Sequence, residues 1–130
     1  MNNRNVMFVF KTLANATYAT VKDESYKVFS LFRKCKKAYN EIAEQQKELI
    51  AKYNVPHLKD AEGKELMVLD TNAKEYAPYI KVYNEMMEDE SGIEYKRLSP
   101  DAFFALCQED KFPESIIDEL SEFLLMEEGK

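Results

Sequence analysis

At 130 residues, with 45% apolar and 32% charged content, the chain has the makeup of one soluble globular domain, able to bury a core without disulfides or a structural metal. A net charge of −6 runs against the usual footprint of a nucleic-acid-binding domain, and no apolar run approaches the roughly 18 residues of a membrane span. The short apolar run near the N-terminus is broken by Lys11 and is too short for a signal peptide, so a cytoplasmic protein is expected.

The charge is divided along the chain. Residues 1–58 carry +5, residues 59–84 carry −1 and residues 85–130 carry −10. The preferred reading is that the acidic third folds back on the basic first half; the other is a basic face for nucleic acid with an acidic tail.

Residues 6–17 place Phe10, Leu13, Ala14 and Thr17 at helical spacing, which predicts a short amphipathic helix, with a strand over 6–10 as the alternative. Residues 18–22 lack periodicity. Asp23 and Glu24 then put negative charge at the start of a long helix over 23–53, which contains neither Gly nor Pro. Ser25, Val28, Phe32, Cys35, Tyr39, Ile42, Gln46, Leu49 and Tyr53 form a coiled-coil-like seam along it, widened by Phe29, Ala43 and Ile50. Asn54 suits a left-handed C-terminal position and Pro56 ends the helix.

A loop with turn chemistry covers 57–64, and residues 65–69 read as an extended piece that can pair with 55–58 as a hairpin. Asn72 and Glu75 have capping-box spacing, predicting an antiparallel helical partner over 72–88 with Tyr76, Tyr79, Ile80, Tyr83, Met86 and Met87 on its apolar stripe. That stripe reads as core rather than as a cofactor box. Residues 93–98 alternate apolar and charged side chains and give the clearest strand pattern. Ser99-Pro100-Asp101 starts a helix to about Gln108, with Phe103, Phe104, Leu106 and Cys107 on its apolar side. Phe112-Pro113-Glu114 starts a last helix to about Met126, and residues 127–130 read as a frayed tail.

Three isolated glycines, Gly63, Gly92 and Gly129, exclude a phosphate-cradling loop or dinucleotide fingerprint. His57 is the sole histidine, which leaves zinc sites and most acid–base schemes short of parts. Cys35 and Cys107 sit in apolar patterns and read as buried reduced thiols. Glu41 and Glu44, with Glu85, Glu88 and Asp89, have the spacing by which two helices could hold magnesium, as in the all-α nucleotide pyrophosphatases. Relative to the seam the first pair faces solvent, so no catalytic, cofactor-binding or metal residue is assigned. Arg33, Lys34, Lys36 and Lys37 form a basic patch sufficient for phosphate contacts but not for base reading.

Taken together, Leu13-Ala14-Asn15-Ala16, residues 21–28, the long helix to Tyr53, the Gly63 loop, residues 83–87 and residues 93–104 resemble a small family carried by tailed phages and prophages. The resemblance spans nearly the whole chain and implies a phage or prophage origin with an assembly or accessory role. It supplies no catalytic residues.

The expected fold is mostly α: a single helical domain over 1–130, with a long central helix, an antiparallel helical partner and short C-terminal helices. A small two-stranded β ribbon, involving 93–98, is compatible with the extended segments. The expected function is non-enzymatic protein interaction, with a protein partner and a homo-oligomer as the assembly, no cofactor and no membrane. The alternatives are the metal-dependent pyrophosphatase-like enzyme and a weak nucleic-acid binder. A helix of 31 residues extends about 46 Å, against a diameter of about 36 Å for a compact domain of this length. Phe29, Phe32, Tyr39 and Ile42 are therefore the candidate interface.

Overall fold

Helix α1 (Asn3–Leu13) begins with a reciprocal cap: the Asn5 N–H donates to Asn2 Oδ1, and the Asn2 N–H donates to Asn5 Oδ1, both at 2.9 Å. Two of the donors that a helix start leaves unpaired are thereby satisfied, and the helical reading of this segment holds over the strand alternative. In this computed structural model residues 1–16 and 23–126 are described; the expectations for Thr17, for 18–22 and for the tail at 127–130 lie outside them.

Helix α2 (Ser25–Tyr53) runs without interruption for 29 residues. Its end is a Schellman motif. Asn54 takes φ +56°, its N–H donates to Ala51 O at 3.2 Å, and the Val55 N–H reaches Ile50 O at 3.1 Å. Strands β1 (His57–Lys59) and β2 (Glu65–Leu69) form an antiparallel ribbon in which His57 faces Leu69 and Lys59 faces Glu65. Asp60 closes the turn, its Oδ1 accepting from the Glu62 and Lys64 N–H groups at 2.9 Å each.

Helix α3 (Tyr76–Glu88) starts four residues after the Asn72 cap candidate, next to Ala77, as the place of Pro78 in a first turn requires. Asn72 does not cap it; instead Asp70 Oδ1 accepts the Asn72 N–H at 3.0 Å, and residues 70–76 form consecutive turns. Pro78 is then the third helical residue, inside the first turn, where no intrahelical N–H is required. Residues 93–98 do not form the predicted strand. The Leu98 N–H donates to Leu124 O at 2.6 Å and the Met126 N–H to Leu98 O at 2.9 Å, a single bridge that spends Leu98's main-chain groups on the end of the last helix. The ribbon is made by the hairpin arms alone.

Helix α4 (Pro100–Glu109) is capped by Ser99, whose Oγ accepts the Ala102 N–H at 3.3 Å. It ends in a second Schellman motif, with Lys111 at φ +52° donating to Gln108 O and the Phe112 N–H to Cys107 O. Helix α5 (Glu114–Leu124) follows. Phe104, expected on the apolar side of α4, is 55% exposed, and Ala102 is buried instead.

The chain forms two compact units, one of Met1–Tyr39 with Glu90–Lys130 and one of Asn40–Asp89, with α2 contributing to both. The first has a substantial core: Val6, Val9 and Leu13 of α1, Val28, Leu31 and Cys35 of α2, Leu98, and the buried faces of α4 and α5 around Phe103, Leu106, Leu120 and Leu124. Phe10 of α1 lies stacked on both Phe32 and Tyr39, with centroids 5.5 and 4.5 Å away. In the second unit the described buried side chains are Ile42, Val55, Tyr79 and Met87. The polar break in the seam has a purpose there: Gln46 Nε2 donates to the hydroxyl of buried Tyr79 at 3.2 Å.

Lys111 occupies a left-handed conformation that costs a side-chain-bearing residue about 1 kcal/mol. Lys111→Gly is expected to raise unfolding free energy by about 0.5–1 kcal/mol, measured by urea denaturation, and a destabilised variant would refute the capping assignment.

Candidate functional site

The N-terminal half of α2 carries two stripes. Val28, Leu31 and Cys35 are fully buried. On the opposite side, Tyr26, Phe29, Ser30, Arg33, Lys34 and Lys37 recur at the intervals of one helix face, and the sequence seam had placed only Phe29 with the apolar set. Phe29, Ser30, Arg33, Lys34 and Lys37 line an open groove of about 450 Å³. Tyr26, Lys27, Ser30, Lys34, Tyr95 and Lys96 line an adjoining one of about 200 Å³. Arg33 sits over the Phe29 ring and Lys96 over the Tyr26 ring, each 5.7 Å from the centroid. Lys36 is exposed but lines neither groove.

Lys34 Nζ donates to the main-chain carbonyl of Glu94 at 2.6 Å. The basic helix and the acidic third thus meet, but through a carbonyl and not a carboxylate. Among the described residues Arg33, Lys34, Lys36 and Lys37 form no ion pair.

The four expected interface residues separate. Phe29 is 51% exposed, whereas Ile42 is 4% exposed within its own unit, and Phe32 and Tyr39 are half-buried against Phe10. Further large apolar side chains are exposed on the ribbon. Met67 is 97% exposed, with Leu58, Leu66 and Val68 exposed around it. Sequence reasoning recognised the ribbon arms but not their exposure, because a five-residue apolar run looks the same whether covered or bare. A shallow groove of about 330 Å³ between the C-terminal half of α2 and α3 is lined by Gln45, Glu48, Leu49, Lys52, Val82 and Met86.

Burial pushes both thiols, Cys35 and Cys107, up to about 11, so neither is a thiolate near neutrality. His57 Nδ1 lies 3.0 Å from Glu65 Oε1 across the ribbon. Glu41, Glu44, Glu85, Glu88 and Asp89 are exposed, and among the described residues no three His, Cys, Asp or Glu side chains are grouped to hold a metal. Among them, too, no helix is long and apolar enough to cross a membrane.

The most strongly held charge is Glu24. Lys27 Nζ donates to its Oε1 at 2.8 Å, the Ser99 hydroxyl donates to Oε2, and the Ser99 N–H donates to Oε1 at 2.9 Å. Those hydrogen bonds, led by Lys27, hold the carboxyl down at about 2 from an ordinary 4.5. Lys27 also donates to Arg97 O at 3.3 Å. One carboxylate therefore ties the start of α2 to the cap of α4. Comparison of the chain with family models, with curated proteins and with solved structures gives no match.

Because the folded form of Glu24 is the weaker base, its stabilisation is complete above about pH 4.5 and lost as pH falls to about 2. Glu24→Gln is expected to cost about 1–2 kcal/mol at pH 7, and the gap from wild type should close across that window in denaturation curves. Both cysteines should resist a thiol reagent at pH 8 until denaturant is added; immediate labelling of either would contradict their burial.

Proposed function

We propose that the protein is a non-enzymatic interaction protein, an accessory or assembly factor of the kind its phage and prophage resemblance implies, and that its contact element is the β ribbon. The carrying observation is the exposure of Leu58, Leu66, Met67 and Val68 on a ribbon of two strands. An isolated two-stranded ribbon is marginal in water, and each of its strands has an edge unpaired by the other. The unit that bears it has a small core, so covering the ribbon would add apolar burial where the chain itself provides little.

Self-association follows from the same reading. A second copy can lay its β2 antiparallel to the first across a two-fold axis, joining two ribbons into four strands and burying Met67 and its neighbours. This replaces the helical seam as the contact, since three of the four seam residues named for it are already packed within the chain.

Analytical ultracentrifugation over a range of concentration tests this. The wild type is expected to show a reversible dimer, and Met67→Lys with Val68→Lys to give a monomer of unchanged helicity. A wild type that stays monomeric at about 100 μM, or a variant that still dimerises, overturns the ribbon contact.

A further inference from the structure

We propose that the solvent-facing stripe of α2, with Tyr95 and Lys96 beside it, is a binding site for single-stranded nucleic acid. The two grooves share Ser30 and Lys34 and so form one continuous surface. Among the described residues their linings contain Arg33, Lys34, Lys37, Lys96 and Lys27 and not one carboxylate, in a chain whose net charge is −6. Lys27 is neutralised by Glu24, which leaves four cations without a carboxylate partner among the described residues, although Lys34 also donates to the Glu94 carbonyl. Such local segregation against the overall balance creates a positive surface that attracts a polyanion.

The aromatics decide which polyanion. Phe29 and Tyr26 are 51% and 55% exposed, on the side of α2 opposite its buried stripe, so each leaves about half of its surface to solvent. Each has a cation over its ring, and Tyr95 is half-buried beside them. Phosphates need only the cations. Bases that are free of a duplex need flat apolar faces as well, and exposed rings beside basic groups on one surface provide both. From Tyr26 to Lys37 the stripe runs about 16 Å, room for a few nucleotides. An A-form or B-form duplex would present stacked, paired bases that these rings cannot reach, and no base-reading motif accompanies the site.

Fluorescence anisotropy with a labelled oligothymidylate tests the assignment. Four phosphate contacts predict that log affinity falls with log salt at a slope of about −3. Tyr26→Ala and Phe29→Ala should each weaken binding about tenfold with the slope unchanged, whereas Arg33→Ala with Lys37→Ala should lower the slope by about 1.4. A duplex of equal length should compete less well than the single strand. All four substituted side chains lie on the solvent side, so circular dichroism should be unchanged, and Lys37→Glu provides a second variant for the charge term. Absence of binding at low salt overturns the proposal, as does indifference to both ring substitutions. Equal competition by polyglutamate overturns it too, and identifies a site for an acidic protein segment.

Discussion

Everything in the larger unit depends on hiding one side of α2. Val28, Leu31 and Cys35 have no exposed surface, which no single short helix could achieve. Helices α1, α4 and α5 each contribute one apolar face to the same core, and Phe10 extends the cover to Phe32 and Tyr39 by stacking. Apolar burial has no direction, so it leaves the register of those helices open. The directional part is supplied by the Glu24 carboxylate, which meets the Ser99 cap of α4 and the Lys27 ammonium together. Burial selects the partners and that node fixes where one of them begins.

Local chemistry made much of this legible. Ser99-Pro100, Asn54 before Pro56, the turn at Asp60 to Lys64, and the length of α2 follow from rules that operate within a few residues. What the sequence hid was the choice among partners. The alternation over 93–98 promised a strand, but a strand exists only if another segment offers its edge, and Leu98 was taken by the end of α5. Asn72 had the spacing of a cap, but its N–H, which Glu75 would accept in a capping box, is taken by the Asp70 carboxylate. Phe32 and Tyr39 were apolar enough to suggest another molecule, and α1 supplied Phe10.

The candidate sites obeyed the same division. The basic cluster was visible as composition, yet its face was not, because Lys36 and Lys37 are adjacent in sequence and about 100° apart around the helix. Lys96 and Tyr95 join Lys34 from a sequence distance that no periodicity connects. The two surfaces of interest also differ physically. The ribbon presents apolar side chains and main-chain edges, whereas the α2 stripe presents charge and rings.

The units differ in how they can be assembled as the chain is made. Residues 40–89 are contiguous, and the Gln46 to Tyr79 bond closes a separation of 33 positions. The other unit is drawn from both ends of the chain, with Glu24 meeting Ser99 across 75 positions and Lys34 meeting Glu94 across 60. Loop closure over such spans is the slower step, and during synthesis it cannot begin until the second segment has left the ribosome. The buried side of α2 is therefore open to solvent, or to a chaperone, for the whole interval in which the ribbon and α3 are being made. Helix α1 is already synthesised by then and can shield it, which gives its Phe10 a transient duty before the final core exists.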